Sequence, residues 1–238
     1  MGTVFAHAQL NNLIFWIAMA LSYAGVVMCA HYFKAWVAYK FGDNTPAEHG
    51  FFSLDPFNHL DPIGFVALYI FGIGWGRHVM INPLNIHGSY RLLRIFIAYL
   101  SDSIAYIVMG IVSMVSIVLL FGKNMIPLSI RLVAHRALDY QALHQLYPDY
   151  SSTAIALGLI LLCIMFLAIM FGALQMIINL FHICLHFYNI DEYDDFFMQL
   201  FFSALLLIIL IFLGGIFRWF ILCSMAMSSC FIAWLLGL

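Results

Sequence analysis

The sequence predicts an all-α polytopic membrane protein of about five to six transmembrane helices, with a small re-entrant or β element between the first two. Three observations predict it. Of the 238 residues, 65% are hydrophobic and 8% charged, whereas a soluble domain carries about 25% charged residues. Several apolar runs reach the roughly 20 residues that span hydrocarbon. The alternating segments of about 10 residues that build a membrane barrel do not occur.

The chain reads as a single integral membrane domain, 1–238, and each element follows from local composition. The first apolar segment, 10–41, is longer than a bilayer requires, so its end is expected to project into a cavity or the interface. It lacks the basic flank and small-residue cleavage site of a signal peptide and is expected to stay as an anchor. Residues 42–91 form a loop and a re-entrant segment. This stretch is polar as far as His59 and carries Pro46 and Pro56. Asp61-Pro62 then opens the apolar run Ile63–Trp75, which is short for a crossing and equally fits a half-span. Gly72, Gly74, Gly76 and Asn82-Pro83 break helix, and Val79-Met80-Ile81 reads as extended. A span is expected over 92–121. Residues 122–152 hold polar groups and read as extramembrane, with a short amphipathic helix around Ile130–Tyr147. Further spans are expected over 153–188, 196–213 and 216–236.

Charge excludes one class of partner and leaves topology open. A net charge of −2 supplies no basic patch for nucleic acid. With Ile63–Trp75 re-entrant, Lys40, Arg77, Arg91 and Arg94 fall on one side and Lys123, Arg131, Arg136 and Arg218 on the other. That split gives no orientation by the positive-inside rule. Cys29, Cys163, Cys184, Cys223 and Cys230 all lie in apolar segments without metal-binding spacing, and they read as small hydrophobes.

The chemistry concentrates in Ala30-His31-Tyr32-Phe33-Lys34-Ala35-Trp36-Val37-Ala38-Tyr39-Lys40-Phe41-Gly42-Asp43. A His and a Lys there sit inside a membrane segment, where an ionisable group marks a functional site by default. The stretch resembles the metal-binding helix of site-2 proteases, the zinc intramembrane proteases, which reads His-Glu-x-x-His-Ala-x-x-Ala-x-x-x-Gly-Asp. From Ala35 to Asp43 the pattern matches. The resemblance continues in register. Gly42-Asp43-Asn44-Thr45 is similar to Gly-Asp-x-Thr. Leu54-Asp55-Pro56-Phe57-Asn58-His59-Leu60-Asp61-Pro62-Ile63-Gly64 is similar to Leu-Asn-Pro-x-x-His-x-Asp-Pro-x-Gly. Gly74-Trp75-Gly76-Arg77-His78-Val79-Met80-Ile81-Asn82-Pro83 is similar to Gly-Trp-Ala-Lys-Pro-Val-Pro-Val-Asn-Pro. Beyond Pro83 the match thins. Ala98-Tyr99-Leu100-Ser101-Asp102-Ser103 stands where the family has Ala-Gly-Pro-x-x-Asn. Asn179-Leu180 matches an Asn-Leu, and gapless alignment from there puts Asp194 on the family's metal-binding Asp.

The resemblance implies three zinc ligands and a Glu that takes the proton from metal-bound water. Here Ala30 stands for the first His, His31 for the Glu and Lys34 for the second His. Ala30 has no donor and Lys34 is cationic. The expected function is therefore that of a catalytically inactive site-2 protease-like protein, a pseudoprotease that binds a membrane segment or partner subunit without cleaving it. No cofactor is expected. Three other readings stay open: an active protease with a zinc site relocated to His31, His182, His186 and Asp194, a metal- or haem-binding membrane protein using the same histidines, and a plain structural membrane subunit. His182 and His186, four apart, share a helix face.

Without metal, the aligned acid needs another positive charge. Lys34 is expected to pair with Asp194, or with Asp191 or Glu192, unless it snorkels to the interface. The acidic run from Asp191 to Asp195 reads as a solvated loop or a cation-binding one. His59 and Asp61 read as a structural loop, with Asp61 capping the helix that starts at Pro62, or as a network that positions the re-entrant segment. The expected partners are membrane lipids and a membrane-protein subunit or transmembrane peptide. The expected location is the inner (plasma) membrane.

Overall fold

The computed structural model describes residues 2–71, 74–122 and 140–187. Among them are seven α-helices and no strand: α1 (Gly2–Lys40), α2 (Thr45–Glu48), α3 (Pro56–His59), α4 (Pro62–Phe71), α5 (Arg91–Phe121), α6 (Tyr140–Leu146) and α7 (Ser152–Phe187), with a 3-10 turn at Pro83–Asn85. Three helical stretches are long and apolar enough to cross a membrane: Leu13–Lys40, Arg91–Phe121 and Ser152–Cys184. Their outward residues are themselves apolar. Leu13, Ile17 and Leu21 on α1, and Ile104, Ile107, Val108 and Ile111 on α5, are exposed. Helices apolar on both faces belong in a core or in lipid, so this is an integral membrane protein. The expected spans 196–213 and 216–236 lie outside the described residues.

Each long helix contributes to two compact units. In one, α1 up to Gly25 joins Val108–Ile169. Phe15, Met19 and Tyr23 of α1, Met114, Ile117 and Val118 of α5, and Ile155, Leu159, Leu162 and Phe166 of α7 are buried there. Ser113 Oγ donates to the Leu161 carbonyl at 2.7 Å. Tyr147 and Tyr150 hydroxyls donate to the Phe121 and Leu120 carbonyls at 3.0 and 2.9 Å, satisfying the end of α5. Cys163 is buried, whereas Cys29 and Cys184 are exposed.

The second unit holds Val26–Ile107 and α7 from Met170 onward, and it contains the motif-bearing segment. α1 ends in a Schellman turn. Gly42 adopts φ +103°, the Asp43 amide donates to the Ala38 carbonyl and the Gly42 amide to the Tyr39 carbonyl, both at 3.0 Å. Asp43 is fully buried. Its carboxylate accepts from the Thr45 amide and hydroxyl, the Asn82 amide and the Asn85 side chain. It thus ties residues 82–85, in the loop before α5, to the end of α1.

Three Asx-Pro pairs start the short elements. Asp55 accepts from the Phe57 amide, Asp61 from the Ile63 amide and Asn82 from the Leu84 amide, at 3.0, 2.9 and 3.0 Å. Asp61 also accepts from Trp75 Nε1 at 2.9 Å. One isolated antiparallel bridge among the described residues joins Leu60, before α4, to Gly76, after it. The Arg77 amide donates to the His59 carbonyl at 2.9 Å. α4 spans 10 residues, and it approaches the 74–75 backbone through two glycines. A methyl on Gly64 would overlap the Trp75 carbonyl, and one on Gly74 would lie 2.5 Å from the Gly64 carbonyl oxygen.

Because backbone meets backbone there, Gly64→Ala should force α4 away from Trp75. The expected loss is about 1–3 kcal/mol, the usual range for overpacking, with the Trp75–Asp61 bond broken. Unfolding in detergent, followed together with tryptophan fluorescence, measures both.

Candidate functional site

The buried face of α1 follows helical spacing: Val26, Val27, Ala30, His31, Lys34, Ala35 and Ala38. Lys34 therefore points inward and does not reach for the interface. Its Nζ donates to Asp102 Oδ2 at 2.9 Å and to Asn179 Oδ1 at 3.0 Å. Asn179 Nδ2 donates to Asp102 Oδ1 at 2.7 Å and to Ser103 Oγ at 3.0 Å. The Ser103 amide donates to Asp102 Oδ1 at 2.7 Å. Lys34, Asp102 and Asn179 are each 0% exposed. Lys34 Nζ also lies 6.0 Å from the centre of the Tyr99 ring, within reach of a cation–π attraction. One long helix supplies each principal member: Lys34 from α1, Asp102 from α5 and Asn179 from α7.

The carboxylate beside Lys34 is thus Asp102. Asp191, Glu192 and Asp194, the acids expected there, lie outside the described residues. Asp102 was readable by the rule that singled out Lys34, since it is an acid in the interior of a long apolar helix.

A zinc ion does not fit the residues at the aligned positions. Ala30 carries a methyl group and no donor, and the Lys34 ammonium, where the resemblance would put the second ligand, donates to Asp102 and Asn179. Among the described residues no three His, Cys, Asp or Glu side chains come together as a metal cage.

Four of the histidines fall into two pairs. His31 lies against His59, with ring centres 5.9 Å apart, and both rings meet Phe51 edge-on. Tyr106 Oη lies 3.4 Å from His31 Nε2. Gly76 makes room for this ring, because a methyl there would sit 2.5 Å from His31 Cε1. His59 is fully buried and its Nε2 donates to the Ser53 carbonyl at 2.7 Å. His182 instead stacks on His78, with centres 4.6 Å apart and planes at 18°, and it lies near Tyr99. His182 Nδ1 lies 3.1 Å from the Ile178 carbonyl. His186 belongs to the last turn of α7. Sequence reading missed His78 as the partner of His182, because its position after a glycine-rich break gives no register.

Two measurements test this arrangement. Removing one member of a buried charge pair strands the other, so Lys34→Met should cost about 3–5 kcal/mol. Lys34→Met combined with Asp102→Leu should recover most of that loss, because matched apolar residues commonly replace a buried pair without cost. Denaturant unfolding in detergent for the two single variants and the double variant gives the coupling.

His78 generates the second. Its pKa is held well below the ordinary 6.5, first by burial and then by the nearby His182, Lys34 and His31. The unfolded chain takes up this proton near pH 6.5 while the folded chain resists it. Stability is therefore complete above about pH 6.5 and drains as pH falls below it. His78→Gln should flatten that slope in unfolding midpoints recorded from pH 7 to pH 5.

Comparison with known proteins gives one short match. Over 48 residues the chain is 46% identical to a Bacillus subtilis (strain 168) protein named "Putative zinc metalloprotease YwhC". The match covers 20% of this chain and 22% of that protein, so the chain spans about a fifth of the length of the curated relative it matches. No family model matches, and no solved structure matches.

Proposed function

We propose that this chain is a site-2 protease-like integral membrane protein in which an ion pair has taken the place of the metal, and that it binds a membrane segment or a partner subunit without cleaving it. One observation carries the reading. The ammonium of Lys34 stands at a position where the resembling family has a zinc ligand, wholly buried and bonded to Asp102 and Asn179. A catalytic zinc keeps one coordination position open for water. The ammonium offers donors only, and two are already engaged. The short match to a protein named as a zinc metalloprotease supports the kinship of the scaffold. Long apolar helices, in place of barrel strands, fit a plasma (inner) membrane location.

The test is metal content and cleavage measured on the same preparation. Purified protein offered zinc and then dialysed should hold none at the Lys34 position. It should leave a reporter transmembrane segment uncut while the two co-purify. One tightly bound zinc, with cleavage stopped by a chelator, would sink the reading. It would instead support an active protease with a relocated site.

A further inference from the structure

His31 and His59 are buried, at 2% and 0% exposure, and the Nδ1 atom of each has no hydrogen-bond partner among the described residues. Such orphans are rare, because a buried polar atom left unpaired costs about 1–3 kcal/mol. Two of them on rings 5.9 Å apart call for a common cause. We propose that the two Nδ1 atoms hold one copper(I) ion between them.

The chemistry selects the ion. His59 Nε2 donates to the Ser53 carbonyl at 2.7 Å, which selects the tautomer with its hydrogen on Nε2 and a lone pair on Nδ1. On His31 the Tyr106 hydroxyl lies beside Nε2, again leaving Nδ1 as the unused nitrogen. Among the described residues no third His, Cys, Asp or Glu joins the pair. Phe51 stands against both rings, and Val27 flanks Gly76 beside His31. A divalent ion here would be short of ligands, since zinc takes four. It would also bury two positive charges without an anion. A monovalent d10 ion accepts two neutral nitrogens and buries one charge. Lys34 is paired with Asp102 at 2.9 Å, which offsets part of its repulsion of the ion.

The site does not depend on the proposed function, and its test does not read proteolysis. The full chain in detergent, kept reduced and anaerobic, is titrated with copper(I) buffered by a chromogenic chelator, and X-ray absorption is recorded on the loaded protein. The expected result is one copper(I) per chain with two imidazole nitrogen neighbours. His31→Gln and His59→Gln should each weaken binding at least about 100-fold, more than loss of an outer-sphere partner costs, while His182→Ala leaves it unchanged. No uptake by the wild-type chain overturns the proposal, as does uptake equal in the two Gln variants. If those variants fail to fold, the wild-type spectrum decides. Two nitrogens support the site, and sulfur, oxygen or four-fold coordination overturns it. Zinc held by these two histidines in preference to copper(I) overturns the choice of ion.

Discussion

The bonds among Lys34, Asp102 and Asn179 set the terms for the helices around them. An ammonium inside a membrane helix is expensive unless it is paired. Here one partner comes from α5 and one from α7. Asn179 acts in both directions: its oxygen accepts from the ammonium and its amide nitrogen donates to the carboxylate. Three helices are therefore fixed at one level, because sliding any of them by a turn would strand a buried charge or amide. Packing agrees with this. Ala30, Ala35, Ala38 and Ala98 are buried, and a methyl on Gly172 would lie 3.2 Å from Tyr106 Cβ. Small residues let membrane helices approach closely enough for short polar side chains to meet.

Asp43 shows a different solution to the same problem. It too is buried, but its carboxylate is satisfied by backbone amides, a hydroxyl and an amide side chain. That gathers the start of the loop and its end at 82–85 onto the end of α1. The motif residues from Gly42 to Pro83 thus do architectural work: Gly42 ends a helix, Asp55, Asp61 and Asn82 start new elements, and Gly64 and Gly74 let backbones touch. On the proposed function, this explains how that stretch resembles the family's pattern while the aligned metal positions do not. The two sets of residues answer to different constraints.

What the sequence disclosed follows from the same division. The long helices were legible from apolar length, and α1, α5 and α7 lie where runs of hydrophobic residues put them. The inward turn of Lys34 was legible as an alternative to snorkelling, since residues 30, 31, 34, 35 and 38 share a helix face. The identity of its partner was not, because helix pairing depends on register between segments far apart in the chain. The sequence offered several acids and no distances. His59 and His78 were harder still. Their places depend on an irregular segment with a single bridge between Leu60 and Gly76, and no periodicity reports on such a path.

The balance of energies explains why a polar network here is more than a leftover. A buried ion pair seldom adds net stability over a well-packed apolar replacement, so stability alone does not account for Lys34 and Asp102. What an apolar replacement cannot supply is discrimination between registers. Leucine and alanine surfaces on α1, α5 and α7 pack acceptably at several offsets, and in lipid no hydrophobic force separates those offsets. A charge with two specific acceptors separates them sharply. In a metal site the ion performs that alignment through directional bonds to residues from different helices. The ammonium, held by a carboxylate and an amide, performs it without leaving a coordination position for water. On the proposed function, alignment of the scaffold and activation of water are separable functions of one position, and the acceptors around Lys34 serve the first.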